Sequence, residues 1–384
     1  MQIEMISHVL YRVYFINDFK FNILREMLNR NMGILKSINW AIVIPIWFVV
    51  ISLFPNNGQA QDPQFSQYYA APLYLNPGLA GINQRGRAGI NYRNQWPSIS
   101  AGFETYSAFF DYNLEDYNSS IGAIVTADKE GIEGLRSTSV ALQYAYQVRL
   151  NYKWTFRPAI QGSFTSRDLN FDNLTFGDQF DENGLVRPVT MESFPASASN
   201  RYFDLGLGGI IFDDRVWLGA SLFNITRPDQ SYQNDGGSIL QRRFSVHGGY
   251  KFDLPIGPFK RGKTDAGQER SISPTFNYKK QGLYDQLDLG AYLTIEPLIT
   301  GLWYRGIPIK QFNGFPNNEA LIAMVGLMHN NFTFGYSFDY TLSRLGIGSG
   351  GAHEISIIYS FSWNDPRKPP RSVRELSCPI PFIF

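Results

Sequence analysis

Of the four histidines in this 384-residue chain, His247, His329 and His353 lie beyond residue 60. They are the only bases there suited to a Ser/His/Asp arrangement, which needs an imidazole within reach of a hydroxyl. Each falls inside or beside a run of alternating apolar and polar residues, and no G-x-S-x-G elbow accompanies them. The single cysteine, Cys378, excludes an intrachain disulfide framework. With one cysteine and scattered histidines, no zinc set at short spacing can be assembled. Gly206 and Gly208 form a G-x-G pair, but mid-strand rather than at the strand-to-helix turn that cradles phosphates. Asp178, Asp181, Glu182 and Asn183 offer oxygen ligands for calcium. The EF-hand spacing is missing, and Asn183-Gly184 is a turn signal in its own right, so a solvated loop is the plainer reading. No catalytic residue, metal ligand or cofactor is expected.

The C-terminal end is more informative. Residues 364–384 read NDPRKPPRSVRELSCPIPFIF, with five prolines. Proline cannot donate to a sheet ladder, which places the segment outside the barrel. Arg371 and Arg374 precede an apolar end containing Leu376, Cys378, Pro379, Phe382 and Phe384. A proline-stiffened peptide ending in aromatics suits docking on a partner, and these seven residues are the candidate partner-binding set. A disordered stub is the competing reading.

The elements that would carry such a tail are strands. From Asn331 to Tyr340, Phe332, Phe334, Tyr336, Phe338 and Tyr340 share one face, and Thr333, Gly335, Ser337 and Asp339 the other. From Ser139 to Val148, Val140, Leu142, Tyr144, Tyr146 and Val148 alternate with Ala141, Gln143, Ala145 and Gln147. Ile355, Ile357, Tyr359 and Phe361 alternate with Ser356, Ile358, Ser360 and Ser362. Eleven further segments are predicted near 86–94, 103–113, 119–128, 154–166, 201–211, 215–223, 241–251, 269–278, 287–296, 299–306 and 319–329, making fourteen strands. The water-facing side of a soluble sandwich would carry more Lys and Glu. Here the second face is small and neutral, and tyrosines flank the apolar one, as in an outer-membrane barrel with a lipid-facing exterior. Such a sheet must close on itself, because lipid satisfies no backbone group. The fold class is therefore an all-β transmembrane barrel of about fourteen antiparallel strands over residues 61–363. Long irregular stretches at Asp168 to Asn200 and Asp253 to Gln268 are expected at opposite ends of it.

An apolar run from Ala41 to Phe54 follows Lys36 and precedes Gly58 and Ala60, the pattern of a secretory signal peptide over residues 32–60. Residues 1–31 resemble neither an n-region nor a domain, and Met27 or Met32 would give a signal of ordinary length. The chain carries 34 Lys+Arg against 33 Asp+Glu, and 29 against 30 once residues 1–60 are removed. Neither balance suits nucleic acid, which needs a positive excess.

The ordered segments QDPQFSQYYAAPLYLNPGLAG (Gln61 to Gly81), YRNQWP (Tyr92 to Pro97), LTFGDQ (Leu174 to Gln179), GLWYRG (Gly301 to Gly306), FTFGYSFDYTLSRL (Phe332 to Leu345), AHEISIIYSF (Ala352 to Phe361) and CPIPF (Cys378 to Phe382) resemble the PorP/SprF family. That resemblance implies an outer-membrane barrel of Bacteroidota associated with type IX secretion and gliding motility. It also implies outer-membrane lipid, type IX secretion components and a secreted cargo or surface adhesin as partners, and no catalysis. A passive or ligand-selective pore is the alternative, and a lipid-acting barrel enzyme a third reading. Against an open pore, Arg93, Arg157, Arg305 and the tyrosines are numerous enough to fill a lumen.

Overall fold

In the computed structural model, the described residues are 62–83, 86–99, 102–131, 135–170, 177–181, 184–185, 191, 197–232, 238–254, 269–312, 315–343, 346–361 and 378–381. The expected extension 1–31 and signal peptide 32–60 lie outside them. Fourteen strands follow the period-two pattern. They are β1 (Gly86–Gln95), β2 (Phe103–Leu114), β3 (Ser119–Glu130), β4 (Leu135–Tyr146), β5 (Thr155–Asn170), β6 (Ser197–Phe212) and β7 (Val216–Phe223). The other seven are β8 (Arg243–Tyr250), β9 (Arg270–Gln281), β10 (Tyr284–Ile295), β11 (Leu298–Phe312), β12 (Phe315–His329), β13 (Phe332–Thr341) and β14 (Ala352–Phe361). Each pairs antiparallel with its sequence neighbours, and β14 returns to β1 with Gly86 opposite Phe361. The barrel is closed, so no edge is left unpaired. No helix among the described residues is long and apolar enough to cross a membrane.

Alternation decides which side chains face out. On β4, Val140, Leu142, Tyr144 and Tyr146 are exposed, whereas Ala141, Gln143 and Ala145 are buried. On β13, Phe332, Phe334, Tyr336 and Tyr340 face out while Ser337 and Asp339 face in. The exterior is thus a band of exposed aliphatic and aromatic residues, the pattern of an outer-membrane barrel wall, and the polar residues are inside.

Calling the end where β1 begins and β14 finishes the near end, the turns there are mostly short. Residues 213–215, 296–297 and 330–331 make three of them. The expected long stretches do leave opposite ends, after β5 at the far end and after β8 at the near end. The first is shorter than expected, because β5 and β6 continue until Asn170 pairs with Ser197. Residues 255–268 of the second lie outside the described residues. Strand β11 also outruns its expected end at Gly306. The register shifts at Arg305/Gly306 and again before Gln311, leaving Pro308 in an unpaired bulge. Gly306 accommodates this with a φ of 144°.

Candidate functional site in the barrel lumen

The lumen is occupied by the chain's own residues 62–83, the segment directly before β1. This segment shows no two-residue alternation and forms a helical turn at Pro72–Leu75 and a 3-10 turn at Pro77–Leu79. Phe65 through Leu73 and Leu75 through Ile82 are all buried. The plug runs from Asp62, near the far end, down to Gly81 at the near end, where it continues into the wall.

At its far half the plug is fixed by charge. The hydroxyl of Ser66 donates to Asp339 at 2.6 Å and accepts from Arg93 at 2.8 Å and Arg305 at 2.9 Å. The backbone amides of Ser66 and Gln67 donate to the two carboxylate oxygens of Glu354 at 2.7 and 3.0 Å. Arg305 also binds Asp288 at 2.9 Å and Asp339 at 3.1 Å, and Arg93 binds Asp339 at 2.8 Å. Gln67 reaches Ser337 and the Glu354 carbonyl, and accepts from Ser356. Asp62 pairs with Arg243, whose guanidinium lies over Tyr74 and Phe223. These groups are nearly all buried, and buried charges persist only when paired in this way.

The near half is mostly apolar. Tyr68 packs edge-on against Trp303 with centroids 5.0 Å apart, and the Trp217 indole donates to the Tyr69 hydroxyl at 2.8 Å. Leu73, Leu79, Ala80 and Ile82 join Ile210, Phe212 and Trp217 in one buried cluster. Polar tethers close this half. Arg157 donates to the carbonyls of Gly78 and Ala80, while Arg87 donates to that of Leu79 and pairs with Asp111. Asn76 accepts from the Gly78 amide and donates to the carbonyls of Gly209 and Ala220. A Cβ at Gly208 would come 2.7 Å from Pro77, so only glycine admits the plug there. The G-x-G pair is therefore a packing feature. A pocket of about 110 Å³ lies between the plug and β3–β8, lined by Asp62, Asp128, Thr165, Asp204 and Arg243 together with apolar residues such as Leu73 and Phe223.

The sequence-derived candidates fall as follows. His247 is fully buried beside Asn76 and Tyr69, His353 bonds the Tyr336 hydroxyl, and His329 sits at an exposed near-end turn. Asp178 accepts from the Met191 amide, and Asp181 pairs with Gly184 in a two-residue hairpin. Glu182 and Asn183 lie outside the described residues. No group of three or more His, Cys, Asp or Glu positioned for a metal occurs among the described residues. Arg93, Arg157 and Arg305 are inside the lumen, as anticipated. Of the tail set, Cys378 and Pro379 are buried together with Ile380 and Pro381, and Cys378 and Ile380 join the plug's apolar cluster. Expected outside the barrel, these four residues are instead buried against the plug, because its apolar cluster takes in Ile380 and the thiol. Burial pushes the Cys378 thiol up to about 12, against the opposite pull of Arg157, Arg87 and Lys251. Arg371, Arg374, Leu376, Phe382 and Phe384 lie outside the described residues.

Sequence reasoning did not identify residues 62–83 as a plug. Two signals were present: a buried-type composition without alternation just before the first strand, and inward-facing arginines and carboxylates that needed partners. Five of the sequence segments that carried the family resemblance meet on this plug. Arg93, Arg305, Asp339 and Glu354 come from four of them and converge on Ser66, which belongs to a fifth.

The profile of the type IX secretion system membrane protein PorP/SprF family matches residues 57–359. No curated protein matches the chain. Among solved structures, the outer membrane protein Omp33 of Acinetobacter baumannii is 7% identical with a TM-score of 0.38, over 73% of this chain and 98% of that one. A Pseudomonas aeruginosa FadL homologue is 10% identical with a TM-score of 0.36, over 72% of this chain and 90% of that one. The KdgM porin is 9% identical with a TM-score of 0.32, over 71% and 99%.

Proposed function

Because this chain is a member of the PorP/SprF family of type IX secretion system membrane proteins and forms an outer-membrane barrel, we propose that it is a non-catalytic accessory component of that machinery, assisting the secretion or surface attachment of one adhesin-like cargo. The observation that carries this reading is the filled lumen. A barrel whose interior is tied to residues 62–83 by Arg87, Arg93, Arg157, Arg243 and Arg305 is built as a platform rather than a conduit. The passive-pore alternative loses support for the same reason. Short turns at the near end match the periplasmic side of outer-membrane barrels, which would put both ends of the sheet there. In this reading residues 364–384 form a periplasmic docking element, with Arg371, Arg374, Leu376, Phe382 and Phe384 as partner contacts. Export is through removal of a signal peptide over residues 32–60.

The test is a deletion strain. One large surface protein should disappear from the cell surface while other type IX cargo is exported normally. Removal of residues 364–384 should reproduce that loss with the barrel still inserted. Unchanged surface proteins in the deletion strain would sink the accessory role. In planar bilayers the purified barrel should carry little steady current, whereas a stable open-channel conductance would restore the pore reading.

A further inference from the structure

The plug and Cys378–Pro381 are both buried, but they are attached very differently. The plug is continuous with β1 and tied to the wall by five arginines. Cys378–Pro381 belongs to no strand, and Pro379 and Pro381 have no backbone N–H to give the sheet. What buries this short piece is apolar contact, with Cys378 5% and Ile380 1% exposed in the cluster that includes Leu79, Phe212 and Trp217. Its surroundings place it toward the near end, since Arg87 and Arg157 stand at the starts of β1 and β5, and Lys251 follows β8. Burial of one isoleucine side chain biases a closed state over an open one by on the order of 10- to 100-fold. Such a bias keeps a segment seated while leaving it open to displacement.

We propose that the near mouth of the barrel holds a seat for a short apolar peptide and that Cys378–Pro381 is its resident occupant, docked reversibly through Ile380. A partner's apolar, proline-containing chain end could enter this seat only by displacing the resident one. The proposal does not rest on the secretion role, because its test uses purified protein alone.

Cys378 is the only thiol in the chain and therefore reports on the seat directly. The experiment follows labelling of the folded, full mature protein in liposomes by a polyethylene-glycol maleimide, against the same protein unfolded in urea. Seating predicts labelling about 10- to 100-fold slower in the folded protein, since the thiol reacts only while the segment is unseated. Ile380→Glu, which puts a charge in the apolar seat, should raise the rate at least ~10-fold while the barrel keeps its heat-modifiable mobility on gels. Ile380→Val, which keeps the seat apolar, should stay within about threefold of the parent. Fast labelling of the folded parent would overturn the proposal. So would slow labelling of an intact Ile380→Glu barrel, because the segment would then be held by something other than this seat.

Discussion

From Asp62 to Gln67 the plug is fixed by ions and hydrogen bonds, whereas from Tyr68 to Ile82 it is fixed mainly by burial. Both halves meet inward faces of the same closed sheet, yet the two attachments do different work. A buried ion network adds little net stability over a well-packed apolar core, but removing one member strands the others in a low dielectric. Ser66 satisfies two arginines and one carboxylate at once, so it fits at a single height on the wall. Apolar contacts around Leu79 and Ile82 tolerate small shifts and contribute area. The far half therefore fixes the plug's register, and the near half supplies most of its hydrophobic stabilisation.

The sharpest way to break this comparison is Arg305→Ala. It leaves Asp288 and Asp339 without that guanidinium and should cost roughly 3–5 kcal/mol, read from the urea midpoint of the heat-modifiable band. It should also raise bilayer current as the plug loses register. Leu79→Ala should cost about 2–5 kcal/mol through the cavity it opens, with the current unchanged. If Leu79→Ala leaks and Arg305→Ala does not, the assignment of register to the ionic half is wrong. Ser66→Ala removes hydrogen bonds to charged groups and should cost about 1.5–3 kcal/mol, with a current rise smaller than that of Arg305→Ala. The smallest effect belongs to the lipid-facing surface: Leu302, 72% exposed, should lose about 1–2 kcal/mol on replacement by alanine, the lost transfer of its side chain from water into lipid, with the current unchanged. A loss above about 3 kcal/mol there would mean that Leu302 packs against protein rather than lipid.

All fourteen strands were legible in the sequence, because side chains alternate with a period of two and lipid demands an apolar outer face regardless of what lies within. Strand ends were less legible. The Gly306-Ile307-Pro308 run reads as a terminator, yet the structure absorbs it in a bulge and continues β11 to Phe312. Glycine mid-strand was likewise ambiguous until Asn76 and Pro77 were found against Gly208.

By itself the sequence determined a closed, all-β wall with polar residues inside, since local alternation and backbone pairing suffice for that. What fills the wall was decided only by the tertiary structure. Ser66 and Glu354 are separated by 288 positions, and no periodicity links residues so far apart. Their meeting depends on sheet closure, which brings β14 beside β1 and turns scattered arginines and carboxylates into one ring around the plug. The same closure buries Ile380 beside the plug, although its neighbouring prolines keep it out of every strand.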